Sequence, residues 1–165
     1  RVPSFLRAGP PLAALGAGLL TRHTAGLERG HAVASEITND GWRHSLGRTS
    51  VPAISAADAG RNLVRIAEAH DLTLFAHYAT DYAGHTQDMH AAVQSLERVD
   101  AFIGAVAESM PQDMPVVVIS DHGNIEDLRM QHTRNPALGI VIGPHAHAAR
   151  LTAITDVAGY VVSRL

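Results

Sequence analysis

The chain has 165 residues, a formal net charge of -3, and a composition of 46% hydrophobic and 18% charged residues. This balance indicates one folded domain with a sizeable core, and it argues against a disordered chain or a polyanion-binding protein. The sequence has no cysteine and no lysine, since all 13 basic residues are arginine. Disulfides, thiolate metal sites, cysteine nucleophiles, Schiff-base chemistry and the lysine of a P-loop are therefore excluded.

The opening residues and the hydropathy of the chain bear on its location. The chain starts at Arg1 without the basic, apolar and small-residue regions of a signal peptide. No stretch approaches the ~20 apolar residues of a membrane span. We expect a cytoplasmic location, with no membrane and no nucleic-acid partner. Because the first residue is not Met, we also expect the sequence to be part of a longer gene product.

The first 50 residues carry only weak periodic patterns. The leucines that follow Pro11 recur at helical spacing, which predicts a short helix. Residues 31–37 alternate enough to predict a short strand, and the turn-rich stretch after them holds the only tryptophan. We interpret residues 1–50 as a lead-in and a partial cap or connecting segment.

The remaining residues alternate between helix and strand patterns. Ser55 is predicted to cap a helix that ends near His70, because its side chain can accept from free backbone N–H groups and Asp58 follows in the first turn. Apolar runs predict strands, and apolar stripes at helical spacing predict further helices. The predicted strands cover residues 72–80, 116–119 and 137–143, and the predicted helices cover residues 86–110 and 152–165.

This alternation predicts an α/β fold. Four β-branched residues in a row at positions 116–119 are typical of a strand buried on both faces. We therefore predict a mainly parallel sheet with helices on both faces. The helix over residues 86–110 is predicted to pack on the sheet through Val93, Leu96, Val99 and Ile103, with Met89 and Phe102 as core residues.

Three clusters of carboxylate and imidazole side chains lie beside the predicted strands. Asp81 and His85 follow the first strand, at a spacing that places both on one side of a helical turn. Asp121 and His122 follow the second strand, and His132 precedes the third. Ligands of open α/β sheets bind beyond the carboxyl ends of the strands. Each cluster alone also fits a helix cap or an ordinary loop, whereas the ordered set favours a metal site.

The chemistry of these five side chains indicates which metal ions they could bind and how many. Two carboxylates and three imidazoles are a plausible ligand set for Mn, Zn or a similar ion. They are too many for one tetrahedral site and about right for most of a two-metal site. The sequence therefore predicts two divalent ions, with Mn or Zn expected and Mg as a further option.

The segments that carry these residues resemble a known family. DYAGHT, SDHGNIED and HTRNP, in this order, resemble the C-terminal half of the catalytic domain of cofactor-independent phosphoglycerate mutase. More broadly, they are similar to the alkaline phosphatase-like metalloenzyme superfamily, which includes phosphopentomutase. The resemblance covers about residues 70–162. It implies that residues 51–165 are the C-terminal half of a metalloenzyme catalytic domain with the alkaline phosphatase-like α/β fold.

The resemblance also implies roles for individual residues. Asp81, His85 and His132 would hold one divalent ion, and Asp121 and His122 would hold the second. Asn124 and Arg134 are candidates for contacts with a substrate phosphate, Arg134 through paired hydrogen bonds. A solvated position in the loop is the alternative for these last two residues.

Two parts of the family's active site are not found in this sequence. The family uses an Asp at the end of its first strand and a Ser or Thr nucleophile, both from the N-terminal half of the domain. Asp40 followed by Gly41 is superficially similar to the first of these, but no strongly apolar strand leads into it. No Ser or Thr has the strand-then-helix setting of the nucleophile.

We therefore predict a metal-dependent phosphomutase-like enzyme or phosphohydrolase that acts on a phosphorylated small molecule. The chain would be a fragment with little or no activity of its own. Its expected protein partner is the missing N-terminal half or a second copy of the chain. The alternative is a metal-binding or interaction remnant without catalytic turnover.

Overall fold

A computed structural model describes residues 9–19, 22–144 and 146–165 of the chain. Residues 1–8 of the predicted lead-in lie outside this range. None of the helices in the described part is long and apolar enough to cross a bilayer. In chain order, the elements are α1 (Gly9–Gly16), α2 (Thr24–Glu28), a π-helical turn (Gly41–Ser45), α3 (Ala56–Ala67), α4 (Ala79–Thr86), α5 (Met89–Ser109), β1 (Val116–Ile119), β2 (Gly139–Ile142), a 3-10 turn (Ala146–Ala148) and α6 (Asp156–Val162).

The main core lies where α3 packs against α5. Its buried side chains come from both helices and from the segment before them: Ile37, Ala59, Val64, Phe102 and Val106. Gly60 allows the two helix backbones to approach, because a Cβ at this position would lie 2.6 Å from the carbonyl oxygen of Phe102. The predicted cap of α3 is confirmed, since the Ser55 hydroxyl accepts from the Asp58 N–H at 3.0 Å.

Residues 72–78 do not form the predicted strand. They carry no strand or helix hydrogen-bonding pattern. Phe75 packs on Phe102 with ring centroids 5.1 Å apart, whereas Leu74 is 77% exposed. An apolar run becomes a strand only where a neighbouring strand accepts and donates its backbone hydrogen bonds, and no described strand pairs with this segment. Because α4 begins at Ala79, Asp81 and His85 lie on a helix.

The predicted mainly parallel sheet is not confirmed. The two described strands, β1 and β2, pair antiparallel, which contradicts the prediction for this pair. Val116 lies opposite Ile142 and Ile119 opposite Gly139. Parallel neighbours need a crossover connection, usually a helix. The connection between β1 and β2 has no helix and folds back on itself, with the Thr133 N–H donating to the carbonyl oxygen of Gly123 at 3.0 Å.

Helices on both faces of the sheet are also not confirmed. On one side, Val116 packs against the α3–α5 core. On the other, Ile119 remains 43% exposed. Ile140, which pairs with Val118 and therefore lies on the Val116 side, is also 39% exposed. The chain therefore contains both helices and a sheet, as predicted. The described sheet has only two strands, and helices pack against it at Val116.

The helix predicted over residues 86–110 is confirmed as α5, and the separate helix α4 ends just before it. Gln87 adopts the left-handed conformation with φ 56, which ends α4. Asp88 then caps α5 by accepting from the His90 N–H at 2.8 Å. Val99 and Ile103 pack against the core as predicted. Three other residues predicted to be buried on this helix are exposed: Met89, Val93 and Leu96. The reason is that α3 determines which side of α5 is buried, and it contacts α5 near Phe102, Ala105 and Val106.

Helices form near both ends of the described chain, as predicted, whereas the strand predicted at residues 31–37 does not. α1 confirms the first predicted helix. Residues 31–37 form a tight turn with a bridge between Ala34 and Ile37 instead of a strand. The last helix begins later than predicted, at Asp156, whose carboxylate accepts from the Thr152 N–H at 2.9 Å.

Candidate metal centre

α4 presents two of the predicted ligands on one side. Asp81 lies in its first turn and His85 in its last turn, one helical turn apart. The His85 Nε2 atom lies 3.4 Å from Asp81 Oδ1. Both side chains are partly exposed, so solvent reaches the pair.

The loop between β1 and β2 brings the remaining imidazoles to the same carboxylate. His122 Nε2 lies 3.7 Å from Asp81 Oδ1, and His132 Nε2 lies 3.9 Å from it. His132 Nε2 is also 3.2 Å from His85 Nε2. One carboxylate oxygen on a helix is therefore surrounded by three imidazole nitrogens from two segments of the chain.

The donor set of Asp81, His85 and His132 fits a divalent cation. One possible ligand atom from each residue lies within 4.8 Å of the other two. Imidazole nitrogen and carboxylate oxygen together suit Zn, Mn and related ions. The rings also pack on one another, since the His122 and His132 rings are stacked with centroids 4.1 Å apart. The Nε2 atoms of these two stacked rings lie 3.7 and 3.9 Å from Asp81 Oδ1.

Asp121 lies at the outer side of this cluster. Its Oδ1 atom is 3.7 Å from His122 Nε2, and its side chain is 76% exposed. His122 is thus equally close to Asp81 and Asp121, and it connects the two predicted ligand groups. Burial and then the charge of Asp121 raise the pKa of Tyr78 above its ordinary value.

Sequence reasoning missed Glu126, the residue that organises the loop. Its Oε2 atom accepts from the Asn124 N–H at 2.6 Å, and its Oε1 atom accepts from the Thr133 hydroxyl and from Asn135 Nδ2. The hydrogen bond from Thr133 is the main cause of a lowered pKa for Glu126. Glu126 thereby connects the residues that follow His122 to the residues that follow His132.

A signal for this role is present in the sequence. Glu126 is a carboxylate in a loop that is rich in hydrogen-bond donors and has Gly123 at its bend. A Cβ on Gly123 would lie 2.1 Å from Thr133 Oγ1, so the two sides of the loop can meet there only because the residue is glycine. The sequence alone does not say which donors the carboxylate reaches.

The two predicted substrate contacts lie in different environments. Arg134 is exposed in the loop, two residues after His132. Asn124 is 5% exposed, and its amide Nδ2 donates to Asp81 Oδ1 at 2.7 Å. This placement favours contact between Asn124 and Asp81 over the predicted contact with a substrate phosphate.

Comparison with known protein families agrees with this geometry. A profile described as the metalloenzyme superfamily matches residues 45–165. Since that match covers well over half of the sequence and includes every predicted ligand, the chain belongs to the metalloenzyme superfamily. The resemblance inferred from the three motifs is confirmed at this level, and membership implies binding of divalent metal.

Curated relatives with similar sequences are phosphoglycerate mutases. The chain is 36% identical over 112 residues to a 2,3-bisphosphoglycerate-independent phosphoglycerate mutase of Cereibacter sphaeroides, which is 62% of this chain and 22% of the relative. Enzymes of the same name are 33% identical over 102 residues in Agrobacterium fabrum and 29% identical over 124 residues in Moorella thermoacetica. The matched residues span 20% and 24% of those two relatives. No solved structure matches the chain.

Proposed function

We propose that this chain carries the metal-binding part of a phosphoryl-transfer enzyme that acts on a phosphorylated small molecule. The observation that carries the proposal is the convergence of three imidazole Nε2 atoms on Asp81 Oδ1, two of them from the distant loop between β1 and β2. Its relatives are phosphoglycerate mutases, which supports mutase-like chemistry over a purely structural metal site. The same metal site could also catalyse the related hydrolysis of a phosphate ester.

In this proposal, Asp81, His85 and His132 hold one divalent ion, and Asp121 and His122 contribute to a second. Bound ions of this kind neutralise charge on a transferring phosphoryl group and lower the pKa of an attacking oxygen. Mn or Zn is the expected metal, with Mg as the third option. Exposed Arg134, two residues after His132, supplies the guanidinium that binds a substrate phosphate through paired hydrogen bonds.

The chain spans 22% of the first of these relatives, so the whole reaction is proposed for a longer protein. The nucleophile and a further ligand for the second ion would come from that additional part, or from a second copy of the chain. The domain boundary at residue 50 and the cytoplasmic location stay predictions.

The exposure of Asp121 favours one alternative. Its side chain is 76% exposed, and its group contains two predicted ligands against three in the other. A chain that binds one ion at Asp81, His85 and His132 without turnover would be a metal-binding remnant. Such a chain would retain metal in stoichiometric amount but would not regain activity when the sequence is extended upstream.

Metal analysis of the purified chain tests the proposal. Elemental analysis after purification without chelator should find bound Mn or Zn, and His85→Ala should lose most of it. His44→Ala is the matched control, because His44 is exposed in the turn Gly41–Ser45, away from the cluster. Equal metal content in the chain and in both variants would overturn the proposal.

Turnover separates the two functions. We expect the 165-residue chain to hydrolyse a generic phosphate ester slowly or not at all with added Mn or Zn. A version extended upstream should show metal-dependent turnover. An inactive extended protein that still binds metal would support the remnant, whereas strong turnover by the short chain would mean that the nucleophile is already within it.

A further inference from the structure

We propose that Asn124 is a positioning residue that orients the Asp81 carboxylate toward the three imidazoles, and that Gly84 is glycine because Asn124 lies against it. The inference rests on the proposed function, since it concerns how the metal ligands are held. It assigns to Asn124 a contact with a ligand rather than with substrate.

The first step is the contact itself. Asn124 Nδ2 donates to Asp81 Oδ1 at 2.7 Å and approaches the backbone oxygen of Asp81 at 3.4 Å. This Oδ1 atom is the one that His85, His122 and His132 surround. The Asp81 side chain is 45% exposed, whereas Asn124 is 5% exposed. A buried, fixed amide therefore orients a carboxylate that would otherwise rotate in solvent.

The second step is the packing of Asn124 on α4. A Cβ at Gly84 would lie 1.6 Å from Asn124 Oδ1, so any side chain at position 84 would displace Asn124. Gly84 lies three residues after Asp81 on the same helix, which places both on the side that faces Asn124. The absence of a side chain at Gly84 creates the space that the amide fills.

The third step is the orientation of the amide. Asn124 Oδ1 is buried and has no hydrogen-bond partner within the described part of the chain. A buried unpaired oxygen is unfavourable. Turning the amide over would bring this oxygen against the carboxylate oxygen of Asp81. The amide therefore keeps its N–H groups toward Asp81 and leaves its own oxygen unpaired against Gly84.

The position of Asn124 in the loop also connects the two ligand groups. Asn124 follows His122 by two residues, and its N–H donates to Glu126 Oε2 at 2.6 Å. One short segment thus supplies an imidazole ligand and orients the carboxylate of the other group. Movement of this segment would change both groups together.

Cobalt binding is the direct test. Titration of the metal-free chain with Co²⁺, followed by calorimetry and by the visible absorption of the bound ion, should give about 10–100-fold weaker binding and an altered spectrum for Asn124→Ala. Asn135→Ala is the matched control, because Asn135 donates to the same Glu126 but not to Asp81. We expect its affinity to stay within about threefold of the unmodified chain and its spectrum to stay unchanged. Unchanged binding by Asn124→Ala, or an equal loss in both variants, would overturn the inference.

A size-compensation experiment tests the role of Gly84. Gly84→Ala should destabilise the fold, because the new Cβ overlaps Asn124. The double variant Gly84→Ala with Asn124→Ala should recover folding, measured by circular dichroism and thermal unfolding, but not cobalt affinity. A double variant that is less stable than Gly84→Ala alone would contradict this packing.

A double-mutant cycle in metal-free protein separates this inference from the proposed function. Urea unfolding should show that Asn124→Ala lowers the folding equilibrium constant about tenfold in the unmodified background and much less when Asp81→Ala is present. If the unmodified chain binds no cobalt, the proposed function fails and this cycle still decides the contact. Additive losses would overturn the contact itself.

Discussion

The helical layer, formed by α3 and α5, and the site loop, formed by residues 120–138, are held together by different forces. The helical layer buries Ala59, Val64, Phe102 and Val106 around one apolar cluster. In the site loop, the buried residues are Gly123 and Asn124, and polar bonds centred on Glu126 hold its two sides together. Burial of apolar surface is non-directional, whereas hydrogen bonds act at specific atoms. The first makes the layer stable, and the second gives the loop its geometry.

The largest expected effect comes from the apolar core of the helical layer. Phe102→Ala should lower the free energy of unfolding by about 3–5 kcal/mol, because it removes a buried ring that contacts Phe75 and leaves a cavity. Urea denaturation followed by far-ultraviolet circular dichroism measures this loss. Val93→Ala is the control, since Val93 is 44% exposed on the same helix and should change stability far less. Similar losses in the two variants would mean that α5 is not packed through Phe102.

Removal of the Glu126 carboxylate should act on the loop and not on the helical layer. Glu126→Ala removes acceptors used by the Asn124 N–H, the Thr133 hydroxyl and Asn135. We expect amide hydrogen exchange in residues 120–135 to accelerate about three- to tenfold, a range that allows for the exposure of this carboxylate. Protection in α3 and α5 should stay unchanged. Loss of protection throughout the chain would show that the two regions form one cooperative unit.

Acid should affect the two regions through different carboxylates. The hydrogen bond from Thr133 is the largest cause of the lowered pKa of Glu126, and the hydrogen bond from Ser55, followed by that from Arg61, lowers the pKa of Asp58 at the start of α3. The ordinary pKa is 4.5 for Glu126 and 3.8 for Asp58. Because both pKa values are lowered in the folded protein, each carboxylate stabilises the fold fully above its ordinary pKa. This stabilisation is lost as the pH falls through the lower folded-state pKa.

Hydrogen exchange measured from pH 7 downward checks this difference. Glu126→Gln should remove the acid dependence of protection in the loop alone, and Asp58→Asn should remove that of the first turn of α3 alone. An effect of either variant on the other region would contradict independent titration.

The smallest expected effect is that of an exposed ion pair within the loop. Arg129 donates to Asp127 at 2.6 Å, and this contact lowers the pKa of Asp127 to about 2. The Arg129 side chain is 89% exposed, so solvent screens the pair. Arg129→Ala should therefore leave the unfolding midpoint and cobalt affinity unchanged within error. A loss as large as that of Glu126→Ala would mean that the loop depends on this pair as well as on the Glu126 network.

Local signals in the sequence predicted the parts of the fold that are set within a few residues. Ser55 and Asp58 predicted the start of α3, because a helix cap involves only neighbouring atoms. The helical pattern at residues 86–110 predicted α5, which runs from Met89 to Ser109. Gln87, a non-glycine residue with positive φ, separates α5 from α4. The strand predicted at residues 72–80 failed because a strand depends on a partner that lies elsewhere in the chain.

The candidate site shows the same division between local and distant information. The residue types and order of Asp81, His85, Asp121, His122 and His132 predicted a metal site, because imidazoles and carboxylates are recognisable ligands in any sequence. The grouping of the three imidazoles around a single oxygen of Asp81 is known only from the fold. The antiparallel pairing of β1 and β2 carries the loop back toward α4 and brings His132 within 3.9 Å of Asp81.

The sequence by itself determined the ligand side chains that this chain can offer, its lack of cysteine and lysine, and the helices whose caps are local. Only the tertiary structure decided that the strands run antiparallel, that Glu126 joins the two sides of the loop, and that Asn124 lies on Gly84 beside Asp81. The physical reason is the distance along the sequence over which each interaction acts. Propensity and capping act over a few residues, whereas the contact between Asn124 and Asp81 joins positions 43 residues apart and exists only after the chain has folded.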